Sequence, residues 1–282
     1  MYGKVEKFMD HSDYGKVFRL WEGEAPLSRP EDRDKVESLK PGVPGIERLT
    51  DVTIPTVTYF PCTWSGKEEQ RIRPAVLVCP GGAYSILAWN LEGRDICAML
   101  NRCGFHAFLL KYRCPDRRQA AAADASRAMR FIRAKANEFE IDPSRLGVIG
   151  FSAGAHLAAK ISAPAVMEYY PAQDEVDNLS FRPDFTVLVY PWQIANKNLE
   201  LKKDFSINEK TPPSLLIQAQ DDFAGTENSL TWFRELQKAG VAAELHIWPE
   251  GGHGYGLMIQ NKPTDAWGDI ACKWFRRVAG LD

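Results

Sequence analysis

No stretch of this sequence stays apolar for the roughly 18 residues that a membrane-spanning helix needs. Its opening, Met1-Tyr2-Gly3-Lys4-Val5-Glu6-Lys7, also lacks the apolar core of a secretory signal. Neither sign of charge dominates: 35 basic side chains face 37 acidic ones, a net of −2. That balance excludes the electrostatic footprint of a nucleic-acid or anionic-membrane binder. The 6 cysteines, at 62, 79, 97, 103, 114 and 272, form no Cys-x-x-Cys pair, and no His-Glu-x-x-His occurs. Several cysteines sit in apolar runs, as Cys79 does after Ala75-Val76-Leu77-Val78, which favours buried free thiols in a reducing compartment. There is no internal repeat and no low-complexity tract. The expectation left standing is a cytoplasmic protein with no metal and no cofactor, acting on a neutral or weakly polar small molecule.

With 282 residues, 45% of them hydrophobic, the chain has material for a large core. Pro26, Pro30, Pro41, Gly42, Pro44 and Gly45 punctuate the first fifty residues. They read as an N-terminal extension, 1–50, packed on a single domain covering 51–282. Within that domain, apolar runs alternate with helix-length segments. The runs are 56–60, 75–79, 106–112, 145–149, 185–190, 214–218 and 244–248. Helices are expected near 90–103, 119–139, from 153, near 227–239 and near 264–279. Strands apolar throughout and separated by helices indicate an α/β fold, with a mostly parallel central sheet and helices on both faces. In such sheets the chemistry lies beyond the carboxyl ends of the strands.

Four of those ends carry reactive patterns. After Ile149 comes Gly150-Phe151-Ser152-Ala153-Gly154 and then a helix-forming run. Gly-x-Ser-x-Gly between strand and helix is the form of a nucleophile elbow, so Ser152 is the candidate nucleophile. The amide of Ala153, at the start of the helix, can stabilise developing negative charge. A serine needs a base, and the loop Gly251-Gly252-His253-Gly254-Tyr255-Gly256 after the last strand supplies His253. His106 and His246 fall within strands, His156 lies on the helix after the elbow, and His11 is in the extension. The orienting acid is expected one strand earlier, where Asp221 and Asp222 stand; Asp222 is preferred, with Asp221 as its rival. After Cys79, Pro80-Gly81-Gly82-Ala83-Tyr84 offers the amides of Gly82 and Ala83 as oxyanion donors. Glu92 is read as a brace for that turn. Tyr84, Trp89, Trp192 and Tyr255 stand near predicted strand ends, where an aromatic face can stack on a sugar ring; ordinary packing is the alternative for each.

From Arg73 to Leu257 the chain resembles α/β hydrolases of the acetyl esterase and feruloyl/acetyl-xylan esterase group. The likeness is carried by the oxyanion turn, Glu92-Gly93, the run Gly104 to Arg113, the elbow through Ala158, Glu227-Asn228-Ser229-Leu230 and the histidine loop. It implies hydrolysis of a short acyl ester, often acetyl on a sugar or xylan fragment, through a Ser-Asp-His triad without metal. Pro-Gly-Gly-Ala stands where hormone-sensitive-lipase relatives have His-Gly-Gly-Gly, which fits the carbohydrate-esterase side. Only a short stretch separates the strands between Pro191 and Pro213, so no large cap domain is expected. Two other readings compete. A serine peptidase of the prolyl-oligopeptidase type shares the elbow, but the chain lacks propeller repeats. A non-catalytic binding protein on the same fold would be expected to have lost the serine, the histidine or the oxyanion glycines, and all are present.

Overall fold

The runs of β-branched and apolar residues form the strands of the computed structural model, which describes residues 15–62 and 72–281. The first fourteen residues of the expected extension, His11 among them, lie outside the described residues. Eleven strands occur among those described: β1 Lys16–Arg19, β2 Ser38–Leu39, β3 Arg48–Thr50, β4 Thr56–Phe60, β5 Arg73–Cys79, β6 Leu87–Ala88, β7 His106–Lys111, β8 Ile141–Phe151, β9 Thr186–Val189, β10 Ser214–Ala219 and β11 Ala243–Trp248. Six helices accompany them: α1 Asp95–Arg102, α2 Arg118–Ala134, α3 Ala136–Phe139, α4 Ala153–Ser162, α5 Glu227–Lys238 and α6 Trp267–Val278.

Eight strands make one sheet in the order β1-β4-β7-β5-β8-β9-β10-β11. From β7 to β11 every pairing is parallel, while β4 joins β7, and β1 joins β4, antiparallel. Every residue of β5, β9 and β10 is buried, as strands covered on both faces must be. This is the α/β-hydrolase fold. The connection from β9 to β10 carries no helix, and among the described residues no large cap stands over the sheet.

Two features are absent from the sequence reading. β1 is four residues long and carries two charges, and β2, β3 and β6 form a separate small antiparallel sheet. Strands that short leave too little alternation to be read from pattern. Leu20 and Trp21, just past β1, are buried, and the Trp21 indole N–H donates to Asp124.

On α2, Asp124 is fully buried and also accepts from the backbone N–H, Nε and Nη2 of Arg113. The expectation of free thiols needs correction at two positions. Cys103, at the end of α1, is disulfide-bonded to Cys272 on α6, with Cα atoms 5.6 Å apart. A separation of 169 residues hides that proximity from the sequence. Cys62, Cys79, Cys97 and Cys114 are free. Among the described residues, no helix is long and apolar enough to cross a membrane.

Candidate active site

β8 runs straight into the elbow. Ser152 takes φ 52° and ψ −114°, and α4 starts at the next residue. A left-handed φ is costly for a residue with a side chain and marks a constrained position. The flanking glycines explain how the turn closes. A Cβ on Gly150 would strike the backbone of Gly154, and one on Gly154 would strike the carbonyl oxygens of Cys79 and Pro80. The Ser152 N–H is anchored on the carbonyl of Val189 in β9, at 3.1 Å.

β9, β10 and β11 follow β8 side by side, so the loops at their carboxyl ends meet. His253, five residues past β11, places Nε2 2.7 Å from Ser152 Oγ. Its Nδ1 lies 2.8 and 2.9 Å from the two oxygens of Asp222, three residues past β10. A carboxylate only accepts, so the Nδ1 proton belongs to His253 and Nε2 is free to accept from the serine hydroxyl. Asp222 is itself fixed by the Ala224 N–H on Oδ1, at 2.7 Å, and by the Gln218 amide on Oδ2, at 2.8 Å. The rival Asp221 points elsewhere and accepts from the Gly252 N–H at 2.7 Å.

On the opposite side of β8, the chain leaves β5 through Gly82, Ala83 and Tyr84 at φ 129°, 57° and 59°. The Gly82 carbonyl accepts from Ser85 and Ile86, at 2.9 and 3.0 Å, and so closes the turn. The amides of Gly82, Ala83 and Ala153 donate to no acceptor among the described residues. Ala83 is exposed, so its methyl group does not block the turn.

Glu92 lies behind this turn, in a π-helical turn over Asn90–Arg94, and it is buried. Its Oε2 accepts from the Gly81 N–H at 2.8 Å and its Oε1 from the Tyr190 hydroxyl at 2.7 Å. Burial pushes its carboxyl above the usual range, opposed by these two hydrogen bonds and by His253.

The expected sugar-stacking aromatics need correction. Tyr84 is 1% exposed and its hydroxyl meets His156 Nδ1 at 2.8 Å. Trp89 is buried, and Tyr255 is 2% exposed and packs edge-on against Tyr190. None of the three turns an open ring face to solvent. Trp192 is half-buried, with the Arg118 guanidinium 5.3 Å from its ring centre. The sequence reading missed Phe223, which is 81% exposed with its ring 4.5 Å from that of His253. Its place directly after Asp222 was the signal. A cleft of about 560 Å³ lined by Glu168, Tyr169, Tyr170 and their neighbours includes none of these residues.

Residues 64–177 match the BD-FAE family model. By sequence, the chain is 30% identical over 230 residues to an acetylxylan esterase of Xylanibacter ruminicola, covering 72% of this chain and 45% of that protein. It is also 30% identical over 217 residues to an endo-1,4-beta-xylanase B of Butyrivibrio fibrisolvens, 67% of this chain and 33% of that protein. The chain thus matches less than half the length of either. By structure, it is similar to an acetyl ester-xyloside bifunctional hydrolase from Caldicellulosiruptor lactoaceticus. That match has TM-score 0.73 and 30% identity over 94% of this chain and 96% of the other. Esterase 2 of Thermogutta terrifontis shares the fold at TM-score 0.68 and 20% identity, over 88% and 96% of the two chains. The motifs, the sheet order and these matches agree: the chain belongs to the acetyl esterase and feruloyl/acetyl-xylan esterase-like family of α/β hydrolases.

Proposed function

We propose that this chain is a serine carboxylesterase for short acyl esters, and that its substrate is an acetyl ester on a carbohydrate such as a xylo-oligosaccharide. The observation that carries the reading is the continuous hydrogen-bonded line from Asp222 through His253 to Ser152, together with the amides of Gly82, Ala83 and Ala153, which have no acceptor among the described residues. In the proposed reaction His253 Nε2 takes the Ser152 proton as Oγ attacks the ester carbonyl. The amides of Gly82, Ala83 and Ala153 receive the oxyanion, each donor contributing about 10²–10³ in rate. His253 then returns the proton to the departing alcohol, and water repeats the sequence on the acyl-enzyme. Asp222 holds the imidazole tautomer that makes both transfers possible.

The acetyl and sugar parts of the proposal draw on the Caldicellulosiruptor relative, named as an acetyl ester-xyloside hydrolase, and on the absence of a large cap, which suits a small polar ester. Purified protein is expected to hydrolyse p-nitrophenyl acetate faster than long-chain esters and to release acetate from acetylated xylo-oligosaccharides. Ser152→Ala is expected to lower kcat at least about 10⁴-fold. Turnover unchanged in that variant would remove Ser152 from the mechanism. Wild-type protein that resists a fluorophosphonate probe would favour a binding protein on the same fold.

A further inference from the structure

We propose that Glu92 is a positioning residue that ties the oxyanion turn to the histidine loop, through Gly81 on one side and Tyr190 on the other. The inference rests on the esterase reading above and concerns how its two halves, carried by strands on opposite sides of β8, keep a common register.

Two hydrogen bonds converge on this one side chain, and each leads on to one of the two loops. Gly81 immediately precedes the donors Gly82 and Ala83, and its N–H ends on Glu92 Oε2. Gly81 has no room for a side chain: a Cβ there would lie 2.6 Å from Glu92 Oε2, 2.6 Å from the Phe151 carbonyl oxygen and 3.0 Å from Ser152 Cβ. The carboxylate therefore holds Gly81 directly against the elbow. On the other side, Tyr190 donates to Glu92 Oε1 and accepts from the Gly256 N–H at 3.1 Å. Gly256 is three residues past His253, and its carbonyl is fixed by the Trp267 indole at 2.6 Å. The Tyr190 ring also packs 5.0 Å from the His253 ring.

The π-helical turn explains how one segment reaches both places. Leu91 lies against Gly256, where a Cβ would come within 2.7 Å of its side chain, while the adjacent Glu92 reaches Gly81 and Tyr190. Such turns occur often at functional sites. Donor and acceptor directions are fixed throughout: Gly256 donates to Tyr190, and Tyr190 and Gly81 both donate to Glu92. Only a group with two acceptor oxygens completes the chain. A glutamine would leave one of those buried donors facing an NH₂ group. Burial pushes the Tyr190 phenol well above its ordinary value, which keeps it a donor.

Steady-state kinetics on p-nitrophenyl acetate and hydrogen exchange on the full chain test this together. In Glu92→Gln, kcat is expected to fall about 10²-fold, the scale of one misplaced oxyanion donor, with KM within about threefold. Amides in 80–86 and in 251–257 are expected to exchange faster together. Tyr190→Phe keeps the Gly81 bond and is expected to lose about tenfold in kcat. The double variant is expected to be no worse than Glu92→Gln alone, because the two residues act as one unit. Wild-type kcat in Glu92→Gln, or faster exchange confined to 80–86, overturns the coupling. If Glu92→Gln does not fold, Tyr190→Phe carries the same test, and unchanged kcat and unchanged exchange at 251–257 overturn the proposal. Wild-type protein without esterase activity sinks the esterase reading instead, while the paired exchange response still decides whether Glu92 links the loops.

Discussion

Asp222→Asn changes one atom and, on this geometry, should cost nearly all of the base catalysis. Both oxygens of Asp222 face donors: Oδ1 accepts from the Ala224 N–H, Oδ2 from the Gln218 amide, and both lie within 2.9 Å of His253 Nδ1. An asparagine must set its NH₂ group against one of these. If the NH₂ faces His253, Nδ1 becomes the acceptor, the ring proton moves to Nε2, and Nε2 points a hydrogen at Ser152 Oγ. A base that arrives already protonated cannot take the serine proton. In a Ser-His-Asp triad this tautomer error lowers kcat by about 10⁴, close to 5.5 kcal/mol in the barrier. Asp221→Asn is the matched control. Asp221 uses one oxygen, to hold the Gly252 N–H, and the asparagine oxygen can keep that bond, so kcat should stay within about threefold. The assay is p-nitrophenyl acetate hydrolysis, normalised to sites titrated with a fluorophosphonate. Equal losses in the two variants, or a larger one at Asp221, refute the reasoning.

Three further variants test burial and exposure. Asp124→Ala strands the buried Arg113 guanidinium and should destabilise the fold by about 3–5 kcal/mol, read by urea denaturation; a loss under about 1 kcal/mol contradicts it. Phe223→Ala should leave stability within about 0.5 kcal/mol, since the ring is 81% exposed. The same variant should raise KM for an acetylated xylo-oligosaccharide roughly fivefold by removing an aromatic face worth about 1 kcal/mol, and an unchanged KM removes Phe223 from the substrate surface. Burial, with Lys160 adding to it, holds the His156 imidazole down at about 3, against 6.5 in the unfolded chain. The unfolded state therefore binds the extra proton first, so this contribution to stability is complete above pH 6.5 and is lost as pH falls toward 3. Its slope is at most about 1.4 kcal/mol per pH unit. His156→Gln should flatten the dependence between pH 6 and 4, and a curve parallel to wild type counts against it.

The parts of the molecule legible in the sequence are those that a single segment specifies by itself. A strand buried on both faces has to be mostly apolar, so β5, β9 and β10 stand out from their composition alone. A strand-to-helix turn as sharp as the one at Ser152 needs small neighbours at fixed offsets, and Gly150 and Gly154 are that requirement written out. Parallel topology then does the rest: any residue placed just beyond a strand lies at the same edge of the sheet as every other such residue. That is how Ser152 and His253, 101 positions apart, come within 2.7 Å without any sequence signal connecting them. β1 was out of reach by the same logic, because an edge strand of four residues meets no strong composition requirement.

What the sequence hid depends on which segment lies across from which. An aromatic residue at a strand end looks the same in sequence whether its ring faces solvent or a neighbouring loop. Tyr84 and Tyr255 are buried against His156 and Tyr190, while Phe223 is exposed beside His253. Glu92 is the sharper case. A lone glutamate between Leu91 and Gly93 suggests a brace for the nearby turn, and the Gly81 bond is local enough to guess, only 11 residues away. The bond to Tyr190 spans 98 residues, and Tyr190 passes the connection on to Gly256. The same carboxylate is therefore a local brace in sequence and a link between two loops in space. If catalysis needs oxyanion donors and base held in one register, the burial of that carboxyl group is a cost the fold bears for alignment.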